Sequence, residues 1–196
     1  DPEMSRGLGD VYKRQLFTVS SDAPFQFVEA YKSLRTNLQF CGEDKKVIAV
    51  TSCTPNEGKS SVSMQLGISL AESGKRVILI DADLRKSVLR GRTKTQKSVR
   101  GLAHFLSGQA TLEDVICSTN VKNFYMIYSG PFPPNPAELL GGKNFRSLLN
   151  ALRKVYDYVI VDTPPLGSVI DAAVAAKKCD GTILVIENNA ISYKFA

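Results

Sequence analysis

The stretch from Val47 to Ser61, reading Val-Ile-Ala-Val-Thr-Ser-Cys-Thr-Pro-Asn-Glu-Gly-Lys-Ser-Ser, constrains the fold more than any other. An apolar run rich in β-branched residues leads into a short polar loop. The loop leads into a segment whose Val62, Leu66, Ile68 and Leu70 suit a helix packed on a sheet. A buried strand, a turn and a helix in that order make a unit that joins parallel strands. The loop also carries chemistry of its own. Backbone N–H groups at a helix N-terminus cradle anions, a lysine reaches the β and γ phosphates of a nucleotide, and the next hydroxyl suits Mg²⁺. Pro55, Asn56, Glu57, Gly58, Lys59, Ser60 and Ser61 are therefore candidate nucleotide-binding residues. The pattern G-x-x-x-x-G-K-[ST] is incomplete, since Cys53 stands at its first glycine. A Gly-Lys-Ser triplet by itself also suits a surface turn; its placement between strand and helix is what favours phosphate.

Two more apolar runs end in carboxylates. Val77-Ile78-Leu79-Ile80 runs into Asp81-Ala82-Asp83, and Tyr158-Val159-Ile160-Val161 runs into Asp162. A single Asp after a strand is usually a turn former or a helix cap. Three of them beside a Gly-Lys-Ser loop need another explanation, because ligands of an open parallel sheet bind outside the carboxyl ends of its strands. The rest of the chain alternates in the same manner. Helices are expected at 24–40, 58–73, 101–107, 112–116, 143–156 and 171–178, and strands at 47–52, 76–81, 123–128, 158–162 and 181–186. The fold expected is α/β, a P-loop NTPase-type three-layer α/β/α sandwich with a mostly parallel sheet.

With 196 residues, 43% of them hydrophobic, the chain has enough apolar matter for one sizeable core. It holds no run long enough to cross a bilayer and no secretory signal pattern. Cys41, Cys53, Cys117 and Cys179 lack metal or redox spacing and read as reduced and structural. The net charge of +6 conceals one concentration. Arg85, Lys86, Arg90, Arg92, Lys94, Lys97 and Arg100 lie in a run without a single acid, and the remainder is near neutral. A solvated loop, or contact with an acidic peptide, anionic lipid or nucleic acid, would each account for it. Residues 1–15 show neither apolar period nor motif and are set aside as a non-native or disordered leader. His104 has no acid–base partner near it in sequence and reads as structural.

Four stretches together resemble the bacterial tyrosine kinases (BY-kinases) of capsular and exopolysaccharide synthesis. They are the deviant Walker A loop Thr51–Ser61, the Walker A′-like Ile80-Asp81-Ala82-Asp83-Leu84-Arg85-Lys86, the segment Ser129–Leu140, and the Walker B-like Tyr156–Pro165. The resemblance implies ATP and Mg²⁺ as cofactors and transfer of phosphate to protein tyrosines. It implies Lys59, Asp81 and Asp83 as the catalytic set, with Asp83 taking the tyrosine proton, and Ser60, Asp81 and Asp162 as the metal ligands. It further implies a transmembrane activator as partner and a cytoplasmic location at the inner face of the membrane. A homo-oligomeric ring through the helix bearing Glu29, Lys32 and Arg35 is implied as well, with Lys32 where the family has arginine. No nucleic acid partner is expected. Residues 16–196 would form one kinase domain, cut before the family's tyrosine-rich tail. The alternative is a partitioning or division-site ATPase acting as a nucleotide switch, but those proteins carry a signature lysine early in the loop, where this chain has Thr54-Pro55.

Overall fold

The computed structural model describes residues 16–17, 24–92 and 99–188. The leader at 1–15, the middle of the basic run at 93–98 and the end of the chain at 189–196 lie outside the described residues.

Seven strands form one sheet: β1 (Leu16–Phe17), β2 (Val47–Ser52), β3 (Val77–Asp81), β4 (Ile116–Thr119), β5 (Phe124–Ile127), β6 (Tyr158–Asp162) and β7 (Gly181–Val185). Their spatial order is β1-β4-β5-β3-β6-β2-β7. Every neighbouring pair is parallel except β4 with β5. The three apolar runs singled out in sequence become β2, β3 and β6, which lie side by side at the centre and are buried along their whole length. That placement explains their composition, since a strand covered on both faces cannot alternate polar and apolar residues. Each fully buried Val, Ile or Leu there contributes about 1.5–3 kcal/mol.

Two apolar cores form on the two faces. On one, α1 (Phe25–Phe40) and α2 (Lys59–Glu72) pack through Leu38, Met64, Leu66, Ile68 and Leu70 against Ile48, Val50, Leu79 and Ile160. On the other, α4 (Leu102–Leu106), α7 (Lys143–Val155) and α8 (Asp171–Ala176) pack through Leu102, Leu106, Phe145, Leu148, Leu152 and Ala175 against Val47, Ile80, Val159 and Val161. The short helices α3 (Leu89–Arg92), α5 (Leu112–Val115) and α6 (Pro136–Gly141) complete the described chain. The result is the three-layer sandwich with a mostly parallel sheet. No helix among the described residues is long and apolar enough to cross a membrane.

Four elements were not expected from the sequence: the two-residue strand β1, the single turn α3, strand β4 and helix α6. The segment after 112 turns within one residue from helix α5 into strand β4, a four-residue edge-side strand too short and too polar at Ser118 and Thr119 to show a period. The proline-rich stretch ends in helix α6, with Pro136 in its first turn, where a missing N–H costs nothing. Lys178 Nζ caps that helix by donating to the Leu140 and Gly141 carbonyls at 3.0 and 2.6 Å. His104 is structural: its Nδ1 accepts from the Gly101 N–H at 3.1 Å.

Helix α2 sits close to the sheet because Gly67 has no side chain; a Cβ there would meet the Phe124 ring at 2.5 Å. Gly67→Ala should cost about 1–3 kcal/mol in urea unfolding, with Phe124→Leu in the same chain recovering part of it. Wild-type stability in Gly67→Ala would contradict this account of how α2 is seated.

Candidate active site

The loop between β2 and α2 is shaped by two left-handed residues, Asn56 at φ 69° and Gly58 at φ 86°. Gly58 is the last residue before the helix, and a Cβ there would meet nothing within 4 Å. Its bareness leaves the backbone of the loop open to a ligand. Glu57 does the opposite: its carboxylate turns inward, accepting from the Thr54 N–H at 2.6 Å and the Glu187 N–H at 3.4 Å. These bonds staple the loop to the exit of β7. The Thr54 amide holds the Glu57 carboxyl below its usual range against the opposing cost of burial. Behind the loop, the Leu166 and Gly167 amides donate to the Ser52 and Cys53 carbonyls. A Cβ at Gly167 would sit 2.6 Å from the Cys53 oxygen, so only glycine allows that approach.

Parallel pairing brings the carboxylates to the same edge. Asp81 is directly opposite Asp162, and Val50 of β2 is opposite Asp162 on the other side. Lys59, at the first turn of α2, reaches over them: its Nζ lies 3.6 Å from Asp83 Oδ2, 3.6 Å from Asp162 Oδ2 and 3.1 Å from Ser60 Oγ. Ser60 Oγ donates to Asp162 Oδ2 at 2.7 Å and Ser63 Oγ lies 2.9 Å from Asp162 Oδ1. Ser63 is a contact the sequence reading missed, although its place one turn after Lys59 on the same helix is a usable signal. Asp83 Oδ1 accepts from the Lys86 N–H at 3.0 Å. Asp81 accepts a short bond from the Ser87 hydroxyl through Oδ2.

Above these groups lies a cleft of about 350 Å³. Pro55, Asn56, Gly58, Lys59 and Ser60 form one wall, Asp83, Arg85, Lys86 and Val88 a second, and Pro164, Pro165, Ser168 and Val169 a third. The loop candidates Pro55, Asn56, Gly58, Lys59 and Ser60 and the carboxylate Asp83 therefore line one cleft, while Asp81 and Asp162 are buried and are not among the lining residues. The Glu57 side chain faces away, and Ser61, half buried on α2, is not among the lining residues.

The electrostatics are those of a site short of positive charge. Burial pushes the Asp81 carboxyl up to about 7, with Asp162 and Asp83 adding to the rise and the Ser87 hydroxyl opposing it. Burial raises Asp162 too, with Lys59 pulling the other way. Asp81 Oδ1 is fully buried without a well-formed hydrogen bond among the described residues, although the nearby Ser129 backbone N–H also opposes the rise of this carboxyl. An oxygen of that kind suits a hard cation. Among the described residues no three His, Cys, Asp or Glu side chains enclose a metal. A divalent ion here would take Asp81, Asp162 and Ser60 together with water and phosphate oxygens, which is how Mg²⁺ is usually held.

A phosphate loop, a lysine and strand-end carboxylates around one cleft define a P-loop nucleotide-binding protein, and residues 45–194 match the family model described as an AAA domain. The tyrosine-protein kinase CpsD of Streptococcus agalactiae is 44% identical over 167 residues, covering 85% of this chain and 72% of that protein. The kinase domain of the Escherichia coli tyrosine kinase ETK superposes with a TM-score of 0.81 at 37% identity, covering 86% of this chain and 66% of that one. The septum site-determining protein MinD of Pyrococcus horikoshii, complexed with Mg-ADP, superposes less well, with a TM-score of 0.60 at 26% identity over 71% of this chain. The chain belongs to the bacterial tyrosine-protein kinases of the capsular and exopolysaccharide type. The division-site ATPase alternative gives way to that reading.

The raised Asp81 carboxyl fixes a pH dependence. Its folded value exceeds its unfolded one, so the native state binds the proton more tightly and loses stability as pH rises from about 4 to about 7. Without metal or nucleotide, Asp81→Asn should match wild type near pH 4 and exceed it above pH 7 by up to about 4 kcal/mol. Chemical denaturation across that range checks the difference, and a constant offset at every pH would contradict it.

Proposed function

We propose that this chain transfers the γ-phosphoryl group of Mg-ATP to protein tyrosines and thereby regulates capsular or exopolysaccharide synthesis and export. The observation that carries the reading is Lys59, held at 3.6 Å from both Asp83 and Asp162 beneath the loop. Phosphoryl transfer asks a protein mainly for positioning and charge neutralisation. The amides from Asn56 to Ser60 would hold the β and γ phosphates, and Lys59 would turn from its carboxylates to the same oxygens. Ser60, Asp81 and Asp162 would hold Mg²⁺, whose charge offsets that of the phosphates. Asp83 would accept the phenolic proton as the tyrosine oxygen bonds to the γ-phosphorus and ADP leaves with the bridging oxygen.

The acceptor would be an accessible tyrosine, which leaves out Tyr128, Tyr156 and Tyr158 because they are buried; Tyr31 and Tyr125 are half-buried, and Tyr12 and Tyr193 lie outside the described residues. In this reading the enzyme works in the cytoplasm at the inner face of the membrane, recruited by a transmembrane activator. Assembly into a ring would use helix α1. There Glu29 and Lys32 form an exposed pair at 2.7 Å, while Arg35 is engaged within the chain, donating to the Ser69 carbonyl at 2.8 Å.

Lys59→Met should reduce tyrosine phosphorylation at least about a thousandfold and weaken Mg-ATP binding at least about tenfold by calorimetry. Unchanged binding would remove the phosphate-cradle assignment. Asp83→Asn should keep nucleotide and metal binding while kcat falls about a hundredfold to ten-thousandfold. Asp81→Asn should lose metal affinity as well. An equal loss of metal binding in both would contradict the division of roles between them.

A further inference from the structure

The side chain of Asp171 has no exposure to solvent, and the chemistry above gives it no task. It opens helix α8, where Arg85 meets it with two roughly parallel bonds, Nε to Oδ2 at 2.7 Å and Nη2 to Oδ1 at 3.2 Å. A guanidinium fork on a carboxylate fixes orientation as well as distance. Arg85 lines the cleft, whereas Asp171 is buried and follows in sequence the segment that forms the third wall. Arg85 belongs to the turn after β3, two residues beyond Asp83, and Asp171 follows the segment after β6 that carries Pro164, Pro165, Ser168 and Val169. Within the turn after β3, the Lys86 N–H donates to Asp83 Oδ1 at 3.0 Å. Asp83 is thus held by its own turn, and the turn is tied through Arg85 to the start of α8.

We propose that Arg85, gripped by Asp171, is a positioning residue that fixes the Asp83 carboxylate against the acceptor tyrosine. The proposal rests on the reading of Asp83 as proton acceptor. A lysine could supply the charge but only one point of attachment, so the turn would pivot about it. A misplacement of about 1 Å at a reacting group costs up to about a hundredfold in rate, which is the scale expected here.

Removing Arg85 alone leaves Asp171 buried and unpaired, which destabilises the fold whatever its other role. The decisive variant is therefore Arg85→Met with Asp171→Leu, in which both charges are gone and an apolar contact takes their place. Its thermal midpoint should return close to wild type. Native-state hydrogen exchange at the Lys86 amide should nevertheless rise at least about tenfold. The kcat for a tyrosine peptide should stay about tenfold to a hundredfold low, with the KM for Mg-ATP within about threefold of wild type. Arg85→Lys with Asp171 intact should recover only a minor part of that kcat. Recovery of kcat together with stability in the double variant, or a Lys86 amide as protected as in wild type, would overturn the proposal. Lys86 exchange reads the positioning with no catalysis required. A wild-type protein that binds Mg-ATP and yields no phosphotyrosine would instead count against the functional reading.

Discussion

Three buried carboxylates share one lysine at the carboxyl edge of adjacent parallel strands, and the rest of the molecule follows from that constraint. Asp81, Asp83 and Asp162 are 0%, 6% and 1% exposed, and Lys59 is the cation in contact with two of them. Buried charges of one sign are costly unless matched. The protein tolerates the excess by placing hydroxyls and amides against it: Ser60 and Ser63 on Asp162, Ser87 on Asp81, and the Lys86 amide on Asp83. What remains is a site with a deficit of positive charge below a loop of open backbone amides. In the proposed function, Mg²⁺ and a nucleotide would supply the complementary charges to those two surfaces.

The central strands and the helix that follows the loop were legible because their burial is one-dimensional. A strand covered on both faces is a continuous apolar run, and in β2, β3 and β6 that run ends where the chemistry begins. The candidate residues could be gathered from sequence for the same reason: parallel strands put their carboxyl ends together whatever their spatial order. Strand β4 and helix α6 were not legible, since four to six residues are too few to show a period and their places depend on β5 and Lys178. Nor could spacing reveal that the Glu57 side chain turns inward or that Arg85 joins Asp171, 86 residues away. The first contact depends on the exit of β7 approaching the loop, and the second on the start of α8 approaching the turn after β3.

The run with its seven basic residues looks different once its first member is seen. Arg85 is committed to Asp171, and Arg100 at the far end lies 3.3 Å from Asp114 in an exposed pair. The run is therefore tied at both ends, with Leu89 and Val99 buried in the core beneath helices α1 and α2. Its position directly after the Asp81 and Asp83 strand end makes those anchors part of the site's architecture. An exposed pair such as Arg100 with Asp114 adds little stability by itself. The pair at Arg85 carries more weight, because its acid is wholly buried.

The account depends on one cleft serving both a nucleotide and a tyrosine. The most direct test is phosphoamino-acid analysis of purified protein incubated with γ-labelled ATP, Mg²⁺ and a tyrosine-rich peptide, in a sample shown to be folded and to bind nucleotide. The account predicts label on tyrosine of the peptide, dependent on Mg²⁺. Release of labelled phosphate to water with none on tyrosine would contradict it and return the chain to the class of nucleotide switches.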